Sequence, residues 1–359
     1  MTGVKFVGNP EDHTGYGRAC LNTILALLKT KIPITLCNIR FIHNTKQPLP
    51  PEIKARIDVK IPYDTVIVQC TPSSSVQFFE PGKKNIIYFF WETDCIPSVW
   101  VDACNSAQEI WVACQSNKDA CIKSGVTTPI RIVPQAMSLH THSQRLYLPG
   151  VTPNTYVFYN IFQWTPRKNP RAMLHAYWKA FTAMDDVLLV VKTYGSSDNN
   201  QDVERIKSEI KNYKAELQLS SFPRLWFIHK IISDFTIESL HNTAHCFVSS
   251  SKGEGWNMSL ATSAMLNKPI ISSTYGGLVD FMSPEDYYSV DSSKWESVSG
   301  MSWIQWYEKT QKWTDPNIED LSLKMRQVFD ENVRHVEYEI AKNITLEAVG
   351  AQMRELLWK

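Results

Sequence analysis

The run Gly253-Glu254-Gly255-Trp256-Asn257 sets one acid between two glycines. A strand-like apolar stretch, His245-Cys246-Phe247-Val248-Ser249, stands before it, and an apolar-periodic, helix-like stretch follows to Leu266. Glycine allows backbone angles and close approaches that a Cβ forbids. A helix start offers free N–H groups and a positive dipole end, which attract an anion. The spacing therefore puts a carboxylate beside an anion-binding turn.

Four further clusters fall at junctions of the same kind. Arg167 and Lys168 lie between a strand over 155–162 and a helix that begins near Pro170. Adjacent cations there can neutralise a diphosphate, although a solvated basic loop would look the same. Near the N-terminus, His13-Thr14-Gly15-Tyr16-Gly17-Arg18 forms a loop between the first strand and the first helix, where backbone N–H groups face a ligand. A tight turn with a surface arginine is the plainer alternative. Glu92 and Asp94 follow a strand over 85–90. In an extended backbone they share a face and can orient hydroxyls or accept a proton, or they can cap the segment after Ile96-Pro97. Tyr275-Gly276-Gly277 suits either a close ligand approach or a simple turn. Lys192 stands at the end of a very apolar strand, where burial without a partner is costly. His175, His229, His241 and His245 read individually as structural.

These positions depend on the elements around them. Strand-like runs over 4–7, 34–37, 65–70, 85–90, 109–113 and 130–133 alternate with helical runs, including 21–28 and a helix over 116–124 capped by Ser116. A Pro- and Gly-containing segment over 140–154 reads as a linker. Alternation then resumes, with strands over 155–162, 186–193, 225–228, 245–249 and 269–272, and helices over 170–181, 202–217, 234–244 and 256–266. The last 60 residues read as helices over 303–312, 318–332 and 340–357. Continuous Val/Ile/Leu strands separated by helices imply parallel sheets covered on both faces. The expected class is α/β, with two doubly wound, Rossmann-like domains, 1–150 and 151–338, facing a cleft.

With 359 residues, two domains are the natural division. Thirty-seven basic against 36 acidic residues give a net charge of +1, which argues against broad electrostatic binding to nucleic acid or an anionic membrane. The eight cysteines form no CxxC pair and no zinc spacing, so free thiols in a reducing, cytoplasmic compartment are expected. No signal segment and no apolar run of membrane-spanning length is seen.

Together the motifs resemble the retaining glycosyltransferases of the GT-B fold, specifically glycosyltransferase family 4. Gly15-Tyr16-Gly17-Arg18 looks like the family's N-terminal glycine loop beside the transferred phosphate. Trp91-Glu92-Thr93-Asp94-Cys95-Ile96-Pro97 with Glu109-Ile110-Trp111-Val112 looks like the acceptor-domain pattern of one branch. Arg167-Lys168-Asn169 is similar to the loop whose lysine contacts the donor diphosphate. Glu254-Gly255-Trp256-Asn257-Met258-Ser259-Leu260 looks like the start of the family's glutamate motif. Two positions depart from the pattern. Thr262 stands where a second glutamate usually holds the ribose, and Gln163 stands where an arginine is usual, with Arg167 adjacent as a substitute.

The resemblance implies a metal-free transfer of a sugar from a nucleotide-diphosphate sugar, with retention, to a hydroxyl of a glycan, a lipid-linked sugar or a small molecule. The catalytic group would comprise Glu254, Glu92 and Asp94. The donor would be held by Gly15, Tyr16, Gly17, Arg18, Arg167, Lys168, Lys192, Gly253, Gly255, Trp256, Asn257, Met258, Ser259 and Thr262. The final helix, in 339–359, would cross back onto the first domain. A modified DNA base as acceptor is a disfavoured alternative, given the balanced charge. A catalytically weak binding or scaffold protein is another, favoured only by Thr262.

Overall fold

The structure, a computed structural model, describes residues 2–12, 14–39, 47–139, 142–195 and 199–358. The chain divides into two compact units, Met1–Ser138 with Glu339–Lys359, and Leu139–Tyr338.

The first unit holds a six-stranded parallel sheet of β1 (Gly3–Gly8), β2 (Ile34–Asn38), β3 (Tyr63–Val68), β4 (Lys84–Phe89), β5 (Glu109–Val112) and β6 (Ile130–Ile132), in the order β2-β1-β3-β4-β5-β6. The order reverses between β1 and β3, so this pair is the topological switch point, where open α/β sheets bind ligands beyond their carboxyl ends. On one face, Phe6, Ile67, Ile86 and Tyr88 pack against Cys20, Leu21, Ile24 and Leu27 of the helix Gly15–Lys29. Val7, Val66, Val68 and Cys70 point to the other face. Burying each such aliphatic side chain contributes about 1.5–3 kcal/mol.

The second unit repeats the plan with β7 (Tyr156–Gln163), β8 (Val187–Tyr194), β9 (Arg224–His229), β10 (Cys246–Ser249), β11 (Ile270–Ser273) and β12 (Tyr288–Val290), in the order β12-β11-β10-β7-β8-β9, all parallel. Here the switch point lies between β7 and β10. The segments after these two strands are the Arg167-Lys168 loop and the Gly253-Glu254-Gly255 loop.

The closing helix Leu346–Leu357 packs against Gly15–Lys29, and its Val349 and Met353 complete the first unit's core. Gly350 permits the close crossing: a Cβ there would stand 2.4 Å from the Ala26 carbonyl oxygen.

Several elements differ from the sequence reading. The helix expected over 340–357 is two, Ile340–Asn343 and Leu346–Leu357. Between them Ile344 accepts a bond from the Met137 N–H at 2.7 Å, and Thr345 caps the second helix through the Ala348 N–H. The helix expected over 303–312 is absent. That stretch leads into β14 (Lys312–Thr314), which pairs antiparallel with β13 (Trp295–Ser297). Within it, Ile304 and Tyr307 pack on buried Trp313, Val298 and Met301, and the Gln311 side chain satisfies Glu308 N–H and Trp306 C=O, so the apolar spacing marks a small hairpin core. Cys114, rather than Ser116, occupies the N-cap of Gln115–Lys123. Residues 142–150 belong with the second unit because Leu146 and the His142 carbonyl bond the helix Asp234–Thr243. His140 lies outside the described residues.

Candidate functional site

Two loops at the second unit's switch point meet through their backbones before their side chains are considered. Lys252 N–H donates to Arg167 C=O at 2.8 Å, and Ser250 Oγ donates to the carbonyls of Lys168 and Asn169. Pro166–Lys168 forms a single 3-10 turn, ended by Asn169 in the left-handed conformation at φ 51°. Asn169 then caps Pro170–Ala180 by accepting from Ala172 N–H. Asn257 repeats the device, with φ 73° and an Oδ1 that accepts from Leu260 N–H at the start of Met258–Met265. Asparagine is among the few residues tolerating this conformation, and its side chain is a strong N-cap. The helix expected from 256 therefore begins two residues later.

Glu254 is the centre of the arrangement. It is 8% exposed, and its carboxylate bridges Lys168 Nζ at 2.5 Å and Arg167 Nη1 at 3.1 Å. Arg167 Nη1 also donates to Gly253 C=O at 2.8 Å. Burial works to raise the Glu254 carboxyl, but the Lys168 and Arg167 charges outweigh it and hold the group below the usual carboxylate range. The sequence reading assigned the acid to sugar hydroxyls and the cations to a diphosphate. The structure joins all three in one charge cluster.

A pH dependence follows. A carboxyl depressed on folding stabilises fully above its unfolded value, near 4.5, and loses that contribution as pH falls through the lower folded value. The urea stability of the wild type should therefore fall toward that of Glu254→Gln only in acid below this range. A stability difference unchanged down to the acid unfolding limit would contradict the pairing.

The Gly276-Gly277 pair supports this loop from behind. Their φ values are +74° and +60°, and Cβ atoms would stand 2.5 Å from Glu254 O and 2.5 Å from Trp256 O, respectively. Of the two roles open from sequence, the backbone packing accounts for both glycines. Trp256 is buried edge-on to Phe281, with its indole N–H unpartnered. Ser259 Oγ bonds Ile161 C=O at 3.4 Å. Thr262 donates its hydroxyl proton to Met258 C=O at 3.0 Å, which leaves its oxygen to act as an acceptor. Gln163 at the end of β7 donates to Gly195 C=O. Lys192 is buried, with Nζ 4.8 Å above the Tyr194 ring.

In the first unit, Gly15, Tyr16, Gly17 and Arg18 are the first helical turn rather than a loop, with Thr14 as an N-cap that makes no side-chain capping bond. His13 lies outside the described residues. Gly17 is required by packing, since a Cβ would stand 2.0 Å from Asp12 O. Tyr16 meets Phe90 edge-on at 5.9 Å. Burial pushes its phenol well up, with Cys70, Cys20 and Glu92 adding to the effect. Glu92 and Asp94 do not continue β4, which ends at Phe89; bends follow at 93–95. The same-face argument for the pair therefore fails, and Asp94 is ion-paired with Lys123. None of the eight cysteines is in a disulfide, and six of them are buried. Among the described residues, no His/Cys/Asp/Glu group is arranged to hold a metal. Among the described residues, no helix is long and apolar enough to cross a membrane.

No protein-family model matches the sequence, and no curated protein matches it. Solved structures do. HepE of Anabaena in complex with UDP and glucose superposes with a TM-score of 0.67 at 11% identity, over 100% of both chains. The fold is GT-B. Sucrose-phosphate synthase of Thermosynechococcus elongatus gives 0.68 at 13% identity, over 100% of this chain and 98% of that one. The lipopolysaccharide outer core galactosyltransferase WaaB gives 0.61 at 14% identity, over 100% and 99%. At such identities the likeness is one of fold.

Sequence reasoning missed two contributors to the site. Ser250 ties the Glu254 loop to the 168–169 carbonyls, and its serine-rich run gave no period to read. The β13–β14 hairpin reaches the same loop through Thr314 N–H to Lys252 C=O at 3.0 Å, and through Lys252 paired with Glu296 and Asp315. Glu296 and Asp315 are far from Lys252 in sequence, so no local spacing announces them.

Proposed function

We propose that the protein is a glycosyltransferase that moves a sugar from a nucleotide-diphosphate sugar to a hydroxyl acceptor. The observation that carries this reading is the buried Glu254 carboxylate shared by Arg167 and Lys168 at the β7–β10 switch point. Two helices of 11 and 8 residues, Pro170–Ala180 and Met258–Met265, also start beside these loops. A diphosphate suits an Arg-Lys pair next to helix N-termini. The HepE complex with UDP and glucose makes a uridine donor the first to test.

In the reaction, the bond between the sugar's anomeric carbon and the diphosphate oxygen breaks. A bond from that carbon to the acceptor oxygen forms, and the acceptor proton leaves with the diphosphate or to solvent. Arg167 and Lys168 offset the charge that grows on the leaving diphosphate. Glu254 holds both cations in place and presents its remaining lone pairs to sugar hydroxyls. Retention, independence from metal, and Glu92 and Asp94 on the acceptor side belong to the same proposal, on the family resemblance. The Thr262 oxygen would accept a hydrogen bond from a ribose hydroxyl in place of the usual carboxylate.

The test is a thermal-shift series with UDP-, GDP- and ADP-glucose, followed by an assay for sugar release. Saturation at about 100 times Kd adds about 2.7 kcal/mol of apparent stability. Arg167→Ala should weaken nucleotide binding by about 10–100-fold, the worth of a charged hydrogen bond. A wild type that neither gains stability from any nucleotide-sugar nor releases sugar would overturn the reading.

A further inference from the structure

The turn that carries Arg167 and Lys168 has a second side. Pro166 and Asn169 line a cavity of about 570 Å³ whose other walls include Trp164, Trp303 and one face of the helix Asn200–Leu217. That volume falls within the range of small-molecule sites, about 300–1,000 Å³. Its lining belongs entirely to the second unit, and Glu254, Arg167 and Lys168 are not part of it. Strand alternation places the cavity. Trp164 packs in one core with Phe158, Phe162, Met173 and Ile206, on the sheet face covered by Pro170–Ala180 and Asn200–Leu217. Tyr159 points to the opposite face, where its hydroxyl bonds His241 and Ser263. The cavity therefore lies on the side away from Met258–Met265, the helix that follows Glu254.

Its polar wall is set in advance. Asp202, Arg205, Glu209 and Tyr213 recur at helical spacing along one face of Asn200–Leu217. Glu209 accepts from Trp164 Nε1 at 2.8 Å, Arg205 Nη1 at 2.6 Å and Tyr213 OH at 3.2 Å, and Arg205 also donates to Asp202. Groups held in this way lose little freedom when a ligand arrives. Trp303 comes from the segment after β13 and is 64% exposed, unusual for so large an apolar ring. Gly300 brings that segment onto the turn: its φ is +69°, and a Cβ there would stand 3.0 Å from Pro166 Cγ.

The charges select the ligand. Each cation of the lining is already paired: Arg171 with Glu216, Arg205 with Glu209, and Lys252 with Glu296 and Asp315. An anion would have to break one of these pairs. A purely apolar ligand would strip water from Arg205 and Glu209 and return no hydrogen bond. A sugar ring answers both walls. Its C–H face suits the electronegative face of an indole, and its hydroxyls both donate and accept. We infer that this cavity binds a neutral oligosaccharide, stacked on Trp303 and hydrogen-bonded to Arg205 and Glu209. The consequence for the acceptor rests on the glycosyl-transfer reading: of the acceptors proposed, a glycan chain is the one with sugar rings to spare for such a site. The cavity and its lining do not depend on that reading.

The experiment titrates the full chain in a calorimeter with maltohexaose, cellohexaose, chitohexaose and α-1,6-mannohexaose, for wild type, Trp303→Ala, Trp303→Phe and Arg167→Ala. Thermal unfolding with UDP-glucose is followed in parallel. The wild type should bind at least one hexasaccharide. W303A should bind it about 10-fold or more weakly, the loss typical of a central tryptophan. W303F keeps a ring to stack on and should stay within a few-fold of wild type. Since Trp303 is exposed, W303A should melt at the wild-type temperature and keep the wild-type shift with UDP-glucose. R167A should do the reverse, losing the UDP-glucose shift and keeping the hexasaccharide. A wild type that binds none of the four overturns the inference, and so does a W303A chain that binds as tightly as wild type. Loss of the UDP-glucose shift in W303A overturns it too, because the cavity would then belong to the donor. If hexasaccharide binding depends on Trp303 but no nucleotide-sugar acts on the wild type, the saccharide site stands and the glycosyl-transfer reading fails.

Discussion

Glu254→Gln should lower turnover on a nucleotide-sugar about 100-fold or more while the circular dichroism spectrum stays that of the wild type. The amide keeps the shape of the carboxylate and one acceptor oxygen. It loses the charge that holds Lys168 at 2.5 Å and Arg167 at 3.1 Å. Groups positioned for charge that develops in the transition state are worth about 10²–10³ in rate, and here one substitution disturbs two of them. Some stability is lost as well, because removing one partner of a buried ion pair leaves the others uncompensated. All three side chains keep 10–16% of their surface, so water relieves part of that cost. Steady-state kinetics separate the effects: kcat should fall far more than KM rises. Turnover within a few-fold of wild type would remove Glu254 from the chemistry.

The second large effect is on structure. Gly277→Ala should destabilise the second unit by about 2–5 kcal/mol, taking about 1–2 for a left-handed alanine and about 1–3 for overpacking. The added methyl would meet Trp256 O at 2.5 Å, Trp256 C at 2.9 Å and Glu254 Cβ at 3.2 Å. None of these is the far end of a flexible side chain, so the motif loop itself must move. Leu278 N–H, which donates to Trp256 C=O at 2.9 Å, would be strained by the same shift. Urea unfolding followed by tryptophan fluorescence reads the loss. A variant as stable as wild type would mean that the loop yields freely, and the support described for Glu254 would be lost with it.

The sheets were legible because their strands are buried on both faces. Val157, Phe158, Val187, Leu188, Leu189 and Val190 form apolar runs that only covered parallel strands need. The glycine-flanked acid and the Arg167-Lys168 pair were legible because each sits at a strand-to-helix junction. Their meeting was not legible. It depends on β7 and β10 becoming neighbours although residues 164–245 separate them in sequence. The same limit explains Glu92 and Asp94, whose two-residue spacing means a shared face only if the strand continues, and β4 stops at Phe89. Over 303–312, Trp303, Ile304, Trp306 and Tyr307 imitate a helical stripe, although a hairpin core and the Gln311 side chain bonds determine the outcome.

Gly350 and its neighbours Val349 and Met353 carry a consequence for how the chain is made. The helix they belong to completes a core begun by residues 4–36, yet it emerges after all 200 residues of Leu139–Tyr338. On the ribosome the second unit is therefore contiguous and finished first, while the first unit waits with part of its apolar surface uncovered. Closing that core joins Val349 and Met353 to residues as distant as Val4 and Phe6, the kind of long-range contact that slows folding. The enzyme proposed here would thus acquire its charge cluster before its N-terminal core, which closes only once Leu346–Leu357 has emerged.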